Sequence, residues 1–427
     1  MLALNWPGQM SYDSVAQLAE ARAGFYHSWH PPVMAWLMRQ FDALVPGTGL
    51  FIVFNGALAL FAFWSFAQPK RATALSVLLT LLAMAAPQWL LYQGMVWKDV
   101  LFADAALAGF AALSRAVNGR PFWYLTAILL LALAMMARQN GLVIVPVAAV
   151  TLAAIFWRRA GAGPAIAGAL LFLALTVGLA ISGEALLSLH GDRGADAADE
   201  IRLAQSYDLA GMMKRDPAFH PMRLVAEDPE LAGLLRTRGV ALYTPVWIDP
   251  LVDDEALHGA ITDAPAGLIF AQWREAVLSH PLLYLATRWT VFTWVAATPD
   301  REACHVLYTG VDGPSGLLNK LGLARDWRPQ DELHNQYGLL LRDTPFFSHL
   351  MFGALTLALL AFLLWRGRDS DLVAAGMLTA ALAFSASFFV VALACDYRYL
   401  YFLDLAAMAG ALAAASRPDM LKPDTGR

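Results

Sequence analysis

Five short stretches of this 427-residue chain carry residue types that could handle a proton or an anion. PGQMSYD ends on Asp13, and HSWHPP holds His27 and His30. VWKDVLF supplies Lys98 and Asp99, ARQNG supplies Arg138 and Asn140, and CDYRYLYF supplies Asp396, Arg398 and three tyrosines, Tyr397 first among them. A carboxylate such as Asp13 or Asp99 can take the proton of an attacking hydroxyl. Lysine and arginine can neutralise charge building on a departing phosphate. Each stretch also has a plainer reading. A loop acid is commonly solvated, cations at helix ends snorkel, and boundary tyrosines form aromatic belts. His27 and His30 have the spacing of a metal pair on one helix face, but the prolines that follow suit an interfacial turn better.

The elements that must position these residues are membrane helices. The chain is 59% hydrophobic and only 15% charged, against about 25% charged in soluble domains. A net charge of −4 gives no case for nucleic acid, and the first residues lack the basic and apolar regions of a signal peptide. A crossing helix needs roughly 20 apolar residues. About nine candidates follow: 48–66, 72–93, 100–117, 121–137, 141–157, 164–183, 346–365, 371–394 and 400–416. The predicted class is therefore an all-α polytopic membrane protein.

Orientation follows from where cations gather. Lys70/Arg71, Arg115/Arg120, Arg158/Arg159, Arg366/Arg368 and the tail residues Arg417, Lys422 and Arg427 mark one side as cytoplasmic. The other side carries only single cations, Lys98, Arg138 and Arg398. Residues 1–47 then form a first outer loop, 48–183 and 346–416 the membrane helices, and 417–427 a cytoplasmic tail. Residues 184–345 are too long for an ordinary connection and should fold as an outer domain. Within 14–45, amphipathic pieces broken by Pro31–Pro32 place Trp29, Trp36 and Phe41 at the interface. Arg288 marks 273–297 as a surface helix rather than a span. Asp104 and Asp404 sit inside spans, where an acid is either functional or paired with a nearby cation. Cys304 and Cys395 both fall outside, where a disulfide is chemically allowed. An outward first loop calls for a helix upstream of Met1, or for insertion without one.

Three cations on the disfavoured side, beside outward carboxylates, suit transfer of a sugar from a polyprenyl phosphate at the membrane face. The stretches WPGQMSYDS with WHPP, WKDVLF, ARQNG, SHPLLYLATR and DYRYLY, in this order and on one side, resemble the GT-C class of membrane glycosyltransferases. That class includes protein O-mannosyltransferases and the aminoarabinose transferase of lipid A. The resemblance implies an inverting transfer to an envelope lipid, polysaccharide or protein on the outer face of the plasma membrane. It implies Asp13 and Asp99 as the catalytic acids. Lys98, Arg138, Arg398, His30 and Tyr397 would contact the donor phosphate or substrate. Members commonly carry two adjacent acids in the first loop; here Tyr12 and Ser14 flank Asp13. A divalent cation is allowed but not required. The rival expectations are a ligase using a polyprenyl-pyrophosphate glycan and a non-enzymatic lipid or glycan transporter.

Overall fold

The computed structural model describes residues 1–27, 30–68, 72–191, 195–325 and 327–416. Trp29, Lys70, Arg71 and the tail 417–427 lie outside them. Among the described residues the chain is helical, and only isolated backbone bridges occur in place of strands.

The first loop holds α1 (Tyr12–Ala23) and α2 (Pro32–Leu44). Proline at the second helix's first position suits it, because that amide has no intrahelical partner. Then come α3 (Gly49–Ala67) and α4 (Ala74–Ala85), which bends by 54° into Pro87–Gly94. α5 (Lys98–Val117), α6 (Trp123–Ala137), α7 (Ile144–Ala160) and α8 (Ala162–Leu187) complete the first set. The large insert contains α9 (Ala195–Arg215), α10 (Leu268–Ser279), α11 (Pro281–Ala297) and α12 (Pro329–Arg342), joined by shorter helices. α13 (His349–Arg366), α14 (Asp369–Val391) and α15 (Tyr401–Ala415) close the bundle.

Each of the nine apolar segments read from sequence coincides with a helix. Six, or seven if the bent pair counts as one, are long and apolar enough to cross a membrane. α6 and α15 have 15 residues each and rise only about 22 Å, short of the roughly 30 Å hydrocarbon core.

α5 and α15 form the centre: every residue from Asp99 to Leu113 and from Tyr401 to Gly410 is buried. Both are rich in alanine and glycine, which lets helices approach closely without a hydrophobic drive from lipid. A Cβ at Gly109 would lie 2.7 Å from the Leu131 side chain of α6, so any larger residue there would displace that leucine. The peripheral α8 and α13 instead expose Leu170, Leu171, Leu357 and Trp365, a surface suited to acyl chains.

The 273–297 stretch is two helices broken at His280–Pro281. Arg288 does not face outward. It is fully buried, 2.9 Å from Asp208, and donates to the Phe389 carbonyl at 3.0 Å and to that of Val390. Trp273 also donates to Asp208, at 2.9 Å. The insert is thereby locked onto the open C-terminal carbonyls of α14, where a cation suits the helix dipole.

Candidate active site

Asp13 is delivered by a strap of extended chain. Gln9 and Met10 run between two other segments: the Gln9 amide donates to Gly94, and Val96 donates back to Gln9, at 2.9 and 3.0 Å. On the other side Met10 donates to Gly310 and Asp312 donates to Met10, both at 2.9 Å. The Gln9 side chain closes the join, donating to Asp331 at 3.0 Å and accepting from the Gly310 amide at 2.6 Å. The strap therefore stitches the membrane bundle to the insert, and Asp13 follows in the first turn of α1.

At the end of that strap, Arg398 donates to Asp13 Oδ2 at 2.9 Å and lies 2.8 Å from Asp396. Its guanidinium also approaches Asp99 at 3.7 Å, while Asp99 is ion-paired with Arg138. Asp99, 3% exposed, thus bridges two arginines from different turns. Arg398 lies over the Trp97 ring at 5.0 Å, and Arg138 over Tyr399 at 4.8 Å. Asp13 Oδ1 makes no hydrogen bond to a described residue. Burial is the largest influence and raises the Asp13 pKa, but the Arg398 charge and hydrogen bond together with His30 and Lys98 hold the carboxyl below its ordinary value. Burial likewise opposes ionisation of Asp396, yet Arg398 and a 3.2 Å hydrogen bond with His305 bring it to about 2.

Two cavities flank this network. One, of about 190 Å³, is lined by Lys98, Arg138, Gln139, Asn140, Tyr399 and one acid, Glu200, with apolar residues that include Phe388 and Val391 of α14. Lys98 lines this cavity with its charge facing those of Asp99 and Asp13. The other, of about 250 Å³, is lined by Asp13, Asp249, Asp312, Asp396, His305 and Arg398, with Trp97, Trp247 and Tyr308 as aromatic walls. Burial raises the Asp249 carboxyl above its ordinary value. His30 is buried, and its Nδ1 has no hydrogen-bond partner among the described residues. Burial and the Lys98 charge lower its pKa to about 4, so it is neutral at pH 7.

Six of the seven sequence-predicted site residues therefore gather around one network or its cavities: Asp13, Asp99, Lys98, Arg138, Arg398 and His30. Tyr397 does not join them. It is fully buried, and its hydroxyl donates to Asp404 at 2.6 Å; its neighbour Tyr399 is the tyrosine that meets the cationic cavity. His27 lies edge-on to Phe25 instead.

Beneath the site, Asp404 is paired with a histidine rather than with one of the outer cations. His349 Nδ1 lies 2.9 Å from Asp404 Oδ1, and its Nε2 lies 2.9 Å from the Tyr397 carbonyl. A carbonyl only accepts, so Nε2 carries a proton. This pair fixes the turn Tyr397–Leu400 from which Arg398 projects. Asp104 accepts from Gln93 at 2.7 Å.

Sequence reasoning missed Asp249, Trp247, His305 and Asp312. All four come from the insert, whose irregular segments carry no periodic or motif signal. The one available hint was Cys304, which is bonded to Cys395 across 91 residues and sets His305 beside Asp396.

No family model, no curated protein and no solved structure matches this chain.

Proposed function

We propose that the protein is a membrane glycosyltransferase of the GT-C type, moving a sugar from a polyprenyl phosphate to an envelope lipid, polysaccharide or protein. The observation that carries this reading is the Asp13–Arg398 pair, standing between a cationic cavity and an acidic, aromatic one. Lys98 and Arg138 hold the donor phosphate, the sugar reaches past Arg398, and the acceptor hydroxyl lies against Asp13. The acceptor oxygen bonds to the anomeric carbon from the face opposite the phosphate. The anomeric carbon–oxygen bond breaks with its electron pair leaving on the phosphate, and the acceptor proton passes to Asp13 Oδ1. Inversion follows from that geometry. Asp99 positions the two arginines, and neutral His30 supplies a polar contact. The outer face of the plasma membrane is supported by the Cys304–Cys395 disulfide, which persists in oxidising compartments, and by the cation bias of the loops.

Mass spectrometry of lipid co-purifying with the detergent-solubilised protein tests the reading. Polyprenyl monophosphate, with or without one sugar, should be present in wild type and depleted in Lys98→Gln with Arg138→Gln. Asp13→Asn should keep the lipid and lower transfer by at least about 100-fold, the low end for a lost general base. A pyrophosphate-linked glycan would instead identify a ligase. Retained transfer in Asp13→Asn would remove its role as base.

A further inference from the structure

A third cavity, larger than either at the site, lies at the opposite end of α1. It has a volume of about 540 Å³ and sits between the first-loop helices and the end of α8. We propose that it binds the phosphate headgroup of an anionic membrane lipid.

Arg39 supplies the charge. It is exposed, lines the cavity and makes no ion pair or hydrogen bond with a described residue. Of the acids on the first-loop helices, Asp42 pairs with Arg22 at 2.9 Å, and Glu20 accepts from the His27 backbone. Among the described residues, no carboxylate lines the cavity, although the chain as a whole is acidic. The Arg39 guanidinium is laid over Gly24, where an added Cβ would fall 1.8 Å from one of its nitrogens. Gly24 is also the left-handed cap of α1, with φ of 69°, so glycine serves both the turn and the approach.

The remaining lining identifies the ligand's setting. Leu186, Leu187 and Leu189 close the longest apolar stretch of the chain, Ala162–His190, and His190 adds a polar ring at its end. Trp36, 40% exposed, stands on the other wall. An aromatic ring beside a free guanidinium at the end of an apolar helix is the chemistry of a headgroup boundary. A planar guanidinium takes two phosphate oxygens at once, which a zwitterionic headgroup offers with less net charge. α1 has 12 residues, so the cavity and Asp13 are about 15 Å apart along one rigid helix. A lipid held at one end steadies the acid at the other.

Quenching of tryptophan fluorescence by brominated lipid tests this, with the full chain in nanodiscs. The signal of Trp36 is the difference between wild type and Trp36→Phe. Brominated phosphatidylglycerol should quench it at lower mole fraction than brominated phosphatidylcholine. Arg39→Gln should weaken that preference about tenfold, as loss of a charge-assisted pair requires, and Arg39→Lys should restore part of it. Equal quenching by the two lipids, or an unchanged Arg39→Gln, would overturn the site. Relief of quenching by millimolar inorganic phosphate would overturn the lipid assignment in favour of a soluble anion. The readout needs no turnover, so it stands or falls apart from the transferase reading.

Discussion

His305 and Asp396 show how much one pair can contribute and over what pH range. The hydrogen bond that His305 donates to Asp396 raises the histidine against the effect of burial, so its contribution is complete below about pH 6.5. That contribution is lost as pH rises through the raised value. Asp396, brought to about 2, contributes above about pH 4 and loses its share as pH falls toward 2. The stabilisation from this pair should therefore be largest between about pH 4 and 6.5, and the difference in melting midpoint between wild type and His305→Gln should shrink on both sides of that window, because His305 also helps hold Asp396 down. His349 makes a different case. His349→Ala leaves the Tyr397 carbonyl without its donor and Asp404 without this hydrogen-bond partner, at a cost of about 1–3 kcal/mol. His349→Gln, which keeps one donor, should recover part of that in the same melting measurement. The single cations Lys98, Arg138 and Arg398 were legible because each stands alone in its connection, whereas the alternate connections carry cations in pairs. Their partners were less so. Nothing in the chain indicated that Asp99 would bridge two arginines, or that Tyr397 would turn inward while Tyr399 met the cavity.

At the scale of elements, apolar runs located the bundle helices, but six or seven rather than nine are long enough to cross a membrane, and 72–93 is a bent pair. Apolar length could not show which helices are central, because alanine-rich and leucine-rich runs score alike until packing separates them. Nor could it place Arg288, whose apolar surroundings looked like a surface helix until α14 supplied two carbonyls and Asp208 a charge. Removing that cation leaves a buried carboxylate and open carbonyls. Arg288→Ala should destabilise the protein by about 3–5 kcal/mol, read as a lowered melting midpoint. Arg288→Met together with Asp208→Leu should recover most of it, since an apolar pair leaves no charge behind.

Across the whole molecule, the proposed catalytic network draws on residues 13, 99, 138 and 398, and the acidic cavity adds groups from the insert. The Cys304–Cys395 bond closes a long loop between those two regions. Reduction, or Cys304→Ser with Cys395→Ser, should cost about 2–5 kcal/mol and lower transfer by loosening His305 from Asp396. The melting midpoint and the transfer rate check the two effects separately. The strap at Gln9–Met10 carries a consequence for synthesis. Its first neighbour, Gly94–Val96, emerges early, but its second, Gly310–Asp312, follows some 300 residues behind Met10. At about 5–20 residues per second, the N-terminal segment waits roughly 15 to 60 seconds with one edge of its backbone unpaired. During that interval Arg398 has not yet been made, and Asp13 has no counter-charge from it. The Asp13–Arg398 pair is therefore absent until the last helices arrive, and a chaperone that shields short extended segments would have its best chance to bind then.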